Sequence, residues 1–177
     1  MAKKKDINWL LKNYSELLNG IGITNNSIIE YQKDYQSKTS DDSILNFLWS
    51  LFNRSLIVSA KNAKTEYDLH FQNWKLYAAM LQFRRKYEKS KANEILQLQL
   101  KSGLLMSDAQ SDVKLIVEII SGHCCEYCDF LDTKVFPIAD VLKNQYLGSD
   151  SCTNSTGCNC CYAELCAKDD NGNFIMK

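Results

Sequence analysis

Apolar residues recur at helical spacing through the first hundred positions, then switch to alternation beyond residue 112. Ile7, Leu10, Leu11, Tyr14, Leu17 and Leu18 fall on one helical face, so residues 6–19 predict an amphipathic helix. Asp6 stands where a cap is needed and Gly20 where a stop is needed. A turn follows, then a short helix over 26–36 with Ile28, Ile29 and Tyr35 inward. Residues 37–43 are polar, and Ser40 or Asp41 is the expected cap of the next helix. From 42 to 102 the pattern is helical almost throughout, with a break near 61–64. Ile44, Phe47, Leu48, Leu51 and Phe52 form one stripe, and Tyr67, Phe71, Trp74, Leu76, Tyr77, Met80 and Leu81 a second. Ile95, Leu96, Leu98 and Leu100 form a third, with Gly103 as its expected stop. Such stripes predict core packing.

Residues 113–120 are β-branched and alternate, with Val113, Leu115, Val117 and Ile119 on one side, which predicts a strand. A second short strand is expected at 134–137 and a short helix or turn at 139–146. Asp169-Asp170-Asn171-Gly172 predicts a hairpin turn between 160–168 and 173–176. The expected fold class is therefore α+β. A mainly helical body (1–103) carries a small antiparallel β module (104–177) at its C-terminal end.

A single proline and seven glycines among 177 residues suit long regular elements. The net charge is zero but divided: residues 1–100 hold 15 basic against 10 acidic groups, and residues 101–177 hold 6 against 11. The acidic half is a poor phosphate grip by itself. No apolar run is long enough for a membrane span. Arg84-Arg85-Lys86 is the dense basic run. Consecutive helix positions spread around the axis, so it predicts a solvated face more than a nucleic-acid footprint. Lys3-Lys4-Lys5 predicts a solvated tail.

All eight cysteines lie between residues 124 and 166. Cys125 and Cys128 form a C-x-x-C, the spacing of half a tetrahedral zinc site. Cys158 and Cys160 would share one face of an extended segment, preceded by Gly157 for the turn, while Cys161 would point the other way. With Cys152 this gives five candidates, Cys125, Cys128, Cys152, Cys158 and Cys160, for four positions, and Cys124 and His123 as substitutes. Thiolates favour a tetrahedral, borderline-soft ion, so zinc, as one structural ion, is the expected metal. The spacing matches neither common ferredoxin pattern. The N-terminus has no apolar leader pattern, so disulfides are not the expected state and a cytoplasmic location is. A thioredoxin-like pair would stand alone, not among six other cysteines. A Cys124–His123 nucleophile pair lacks a third group to orient the base.

The run Cys125-Glu-Tyr-Cys128 through Leu131, Asp132, Lys134 and Phe136, followed by Cys152 and Gly157-Cys158-Asn-Cys160, resembles the C-terminal zinc-knuckle-like module of the phage minor-head (head-morphogenesis) family. The likeness covers about forty residues. Thr133 stands where that pattern has glycine, Cys152 roughly where it has histidine, and Asn159 where it has arginine. The resemblance implies a metal knuckle and a head-associated, virion or prophage origin.

No H-E-x-x-H, phosphate loop, G-x-S-x-G or zinc deaminase signature is present. Glu126, Asp129 and Asp132 beside the first knuckle read as surface carboxylates. No catalytic residue emerges. The expected function is non-enzymatic: a structural zinc site supporting protein–protein assembly, through a partner or self-association. The alternatives are a nucleic-acid-binding regulator using Arg84, Arg85 and Lys86, and a thiol redox protein.

Overall fold

A computed structural model describes residues 5–177 and has the α+β architecture expected. It divides into two compact units, one ending at Lys64 and the other Thr65–Lys177. Lys3 and Lys4 lie outside the described residues; Lys5 sits 5.7 Å over the Trp9 ring.

The first unit holds α1 (Ile7–Asn19), α2 (Asn25–Thr39) and α3 (Ile44–Asn62). Each begins on a side chain that accepts a backbone N–H in the first turn: Asp6 from Trp9, Thr24 from Ser27, Ser43 from Asn46. Such caps contribute about 1 kcal/mol each. The α3 cap is thus Ser43, not Ser40 or Asp41. The Asp41 carboxylate instead braces the turn, accepting from Ser43 N–H at 2.8 Å, Asn46 Nδ2 at 2.9 Å and the Tyr35 hydroxyl at 3.0 Å. Leu10, Leu18, Ile21, Ile23, Ile28, Leu48, Leu51 and Phe52 are buried. The whole first stripe of α3 faces inward, and Tyr14 meets Phe52 edge-on at 5.5 Å. Ile29 is exposed, because one step around a helix is about 100° and α2 buries a narrow line through Ile28.

The second unit opens with α4 (Glu66–Phe83), whose last turn widens into a π-helical turn over Arg84–Glu88. Lys89 and Ala92 then take left-handed conformations, φ 55° and 50°, and reverse the chain into α5 (Asn93–Gln110). Gly103 does not end α5. A Cβ there would stand 3.4 Å from the Trp74 ring, so the glycine lets the two helices approach closely. Trp74 caps that contact and stays 38% exposed, and Leu98 also faces outward. The compositional boundary at residue 103 falls inside this helix.

The sheet is three antiparallel strands in the order β2-β1-β3, with β1 Leu115–Ile120, β2 Val135–Pro137 and β3 Cys161–Cys166. Val117 pairs with Phe136 and Glu164, and Ile119 with Tyr162. Val117 and Ile119 are fully buried, as the alternation requires. Val117, Leu104 and Val141 form a core with Phe136, Ile138, Leu142, Tyr146 and Tyr162 against it. Val141 comes from α7 (Ile138–Asn144), and α6 (Glu126–Leu131) lies between β1 and β2. The Asp169–Asn173 turn forms as expected. Asp169 accepts from the N–H groups of Asn171 and Asn173, and Lys168 bridges Phe174. The tail then returns along the sheet, where Lys114 N–H donates to Ile175 O at 2.8 Å. Among the described residues, no helix is long and apolar enough to cross a membrane.

Candidate metal centre

Three loops at one end of the sheet converge. The first follows β1. Ser121 N–H donates to Asp132 at 2.7 Å, Ser121 Oγ to Asp129 at 2.8 Å, and His123 N–H to Ser121 Oγ at 2.9 Å. Asp129 and Asp132, read from sequence as surface carboxylates, therefore hold this loop in shape. His123 is left-handed (φ 48°) and Cys125 extended (φ −171°), so the backbone bends between them. That bend brings the sulfurs of Cys124 and Cys125 to the same region, although neighbouring side chains usually diverge. Cys125 sits at the start of α6, and Cys128 one turn along is buried.

The second loop carries Cys152, where Cys152 N–H donates to Ser149 O at 3.0 Å. The third carries Cys158 and Cys160, separated by one residue and both buried. It is fastened to the helices behind it. Arg85 Nη2 donates to Cys158 O at 2.9 Å, and Cys158 N–H donates to Asn93 Oδ1 at 3.3 Å. Gly157 has φ 94°, and a Cβ there would stand 2.6 Å from Lys91 O. The first and third loops touch backbone to backbone. A Cβ on Gly122 would be 2.9 Å from Asn159 O, and Gly122 N–H donates to Cys160 Sγ at 3.3 Å.

Four sulfur pairs lie at nearly one spacing. Cys124 and Cys160 are 3.8 Å apart, Cys125 and Cys152 3.8 Å, Cys128 and Cys152 3.9 Å, and Cys128 and Cys158 3.9 Å. A tetrahedral zinc site with bonds of about 2.3 Å has sulfur–sulfur edges of about 3.8 Å. Cys124, Cys125, Cys128 and Cys152 form one group whose ligand atoms all lie within 4.8 Å of one another. Cys124, Cys128, Cys158 and Cys160 form another. This cluster can hold a metal ion. All eight cysteines are unbridged.

All five candidates from the sequence are therefore brought together, and Cys124, treated there as a substitute, joins them. His123 does not, because its ring turns outward and Nδ1 lies 3.0 Å from Asp129. Cys161 and Cys166 stand apart on β3, both exposed, so Cys161 does not enter a small core. The strand alternation puts it on the outer face. Of the basic run, Arg84 pairs with Glu88 at 2.8 Å and Glu94 at 3.5 Å, and Arg85 is tied to Cys158 and to Lys91 O. Lys86 alone of the three is exposed, 5.4 Å from the Tyr87 ring. These arginines are therefore structural ties within the unit rather than a solvated face.

The site disfavours a full set of bare thiolates. Burial pushes Cys152 up to about 12 and Cys160 up to about 11. Burial and the surrounding thiols push Cys128 higher still. At Cys125 burial acts the same way, but the N–H groups of Cys128 and Thr153 and the neighbouring thiols overcome it and bring the thiol down to about 6. Cys124 is lowered as well: burial opposes ionisation, while the Asn159 backbone and nearby thiols favour it. One thiolate can form readily beside others that stay protonated until a cation arrives. No family model, curated protein or solved structure matches the chain.

Proposed function

We propose that this is a non-enzymatic binding or assembly protein whose cysteine cluster holds a structural metal centre, with zinc the metal. The observation that carries this reading is the convergence of thiols from three loops at tetrahedral edge length. A shell filled by protein sulfurs leaves no open position for substrate, which favours structure over catalysis. Beyond Leu131 and Leu147 the cysteine loops bury few aliphatic side chains, so metal bonds supply stability that burial does not.

The sheet supports the assembly half. Ile116, Ile120, Val135 and Leu165 alternate with the core residues and so share its outer face. Ile120, Val135 and Leu165 are exposed there. This face suits a protein partner or a second copy better than nucleic acid, and Arg84 and Arg85 are already engaged. The likeness to the phage minor-head module supports a head-associated role. Thr133, which replaces its glycine, has φ 57°, a conformation glycine adopts at least cost.

Thiol reactivity tests the metal reading. In the native, metal-loaded protein the exposed Cys161 and Cys166 should react quickly with a thiol reagent, and the other six should be protected until a chelator is added. Fast reaction of all eight without chelator would refute a metal-filled cluster and favour the thiol redox alternative.

A further inference from the structure

Resting on the metal reading above, we infer that the cluster is binuclear: two divalent ions share the thiolates of Cys124 and Cys128. The two four-sulfur groups are not alternatives drawn from separate residues. Each contains Cys124 and Cys128, and each adds a different terminal pair: Cys125 with Cys152, or Cys158 with Cys160. Two tetrahedra joined along one edge have this composition, six sulfurs for two ions.

A single ion fits the arrangement less well. Placed in the first group, it leaves Cys158 and Cys160 buried beside the shared pair with no ligand role. Placed in the second, it strands Cys125 and Cys152. Cys128 is 3.9 Å from Cys152 on one side and 3.9 Å from Cys158 on the other, so its sulfur faces both groups equally. A thiolate has more than one lone pair and can bind two ions. Cys128 is fully buried at the middle of the cluster, as a bridging ligand should be.

Charge permits the second ion. Each S–H bond broken as the second ion binds sends its proton to solvent, so protons given up by the thiols offset the positive charge that the ion brings. Arg85 on Cys158 O and Gly122 N–H on Cys160 Sγ further favour negative charge at the second group.

The test is a cobalt(II) titration of the reduced, metal-free full chain under anaerobic conditions, in a Cys161→Ser/Cys166→Ser background so that exposed thiols take no metal. The expected result is saturation of tetrahedral thiolate absorption at two ions per chain, with a magnetic moment below that of two independent ions, because shared sulfurs couple the spins. Cys160→Ser, which touches one group, should retain one ion. Saturation at one ion in the parent chain would overturn the binuclear proposal and leave the structural-metal reading intact. Two ions with no magnetic coupling would overturn the sharing of Cys124 and Cys128. No cobalt binding would overturn both.

Discussion

Two loop residues carry opposite backbone strain. Gly157 sits at φ 94° with Lys91 O where a Cβ would go, at 2.6 Å. The obstacle is backbone, so it cannot swing aside. Gly157→Ala should cost at least about 2 kcal/mol of stability through the clash and the left-handed penalty. Thr133 is the reverse case, a β-branched residue held at φ 57°. Thr133→Gly should stabilise by about 1 kcal/mol, the left-handed penalty less the entropy that glycine adds to the unfolded chain. Denaturation of both variants in the metal-loaded form checks the paired signs. The sequence marked both positions, Gly157 before a knuckle and Thr133 as a departure from a glycine. Gly122 has no local signature, because its role is a close approach to Asn159, a residue distant in sequence. Cys124 was undervalued for a related reason: the left-handed turn at His123 that redirects it has no glycine or asparagine to announce it.

At the scale of elements, the helices were legible and their exceptions are physical. Periodicity defines α1 and the inward stripe of α3 closely, and the Asp6 cap fixes where α1 begins, since both report local forces. Gly103 breaks the rule because α4 packs against it through Trp74, a tertiary contact. The π turn at Arg84–Glu88 and the reversal at Lys89–Ala92 have no local signature, and they aim Arg85 at the third cysteine loop. Arg85→Ala should therefore weaken metal retention, by roughly tenfold if the lost charge-assisted bond is worth about 1.5 kcal/mol, measured by chelator competition. The helices themselves should keep their far-UV signal. In the first unit, Asp41 has a test of its own. Bonds from Asn46, Ser43 and Tyr35 hold its carboxyl below the usual range. A carboxyl lowered by folding adds stability above its unfolded pKa and loses it as pH falls through the folded value. Asp41→Asn should destabilise at neutral pH, and the gap to the parent should close on acidification, as pH-dependent thermal melts would show.

Across the whole molecule, the two units depend on different forces. Residues 5–64 are held by side-chain burial along three capped helices. In Thr65–Lys177, burial centres on the sheet and the α4–α5 pair, while the cysteine loops lie at the sheet's end. The broad class and the cysteine-bearing end were readable because cysteines and periodicity are compositional signals. The depth of the cluster was not, since it arises from three loops whose meeting is set by β1, α6 and the Arg85 tie. If metal closes those loops, its removal should loosen the second unit selectively and leave the first largely helical.

The most direct measurement is metal content with intact native mass, on protein purified without added metal and then treated with a chelator. A structural centre predicts tightly bound zinc, eight reduced thiols in the denatured mass, and loss of second-unit structure when the metal is stripped. Metal-free protein with a mass lowered by pairs of hydrogens would contradict it, since the sulfurs would then be joined to one another and not to an ion.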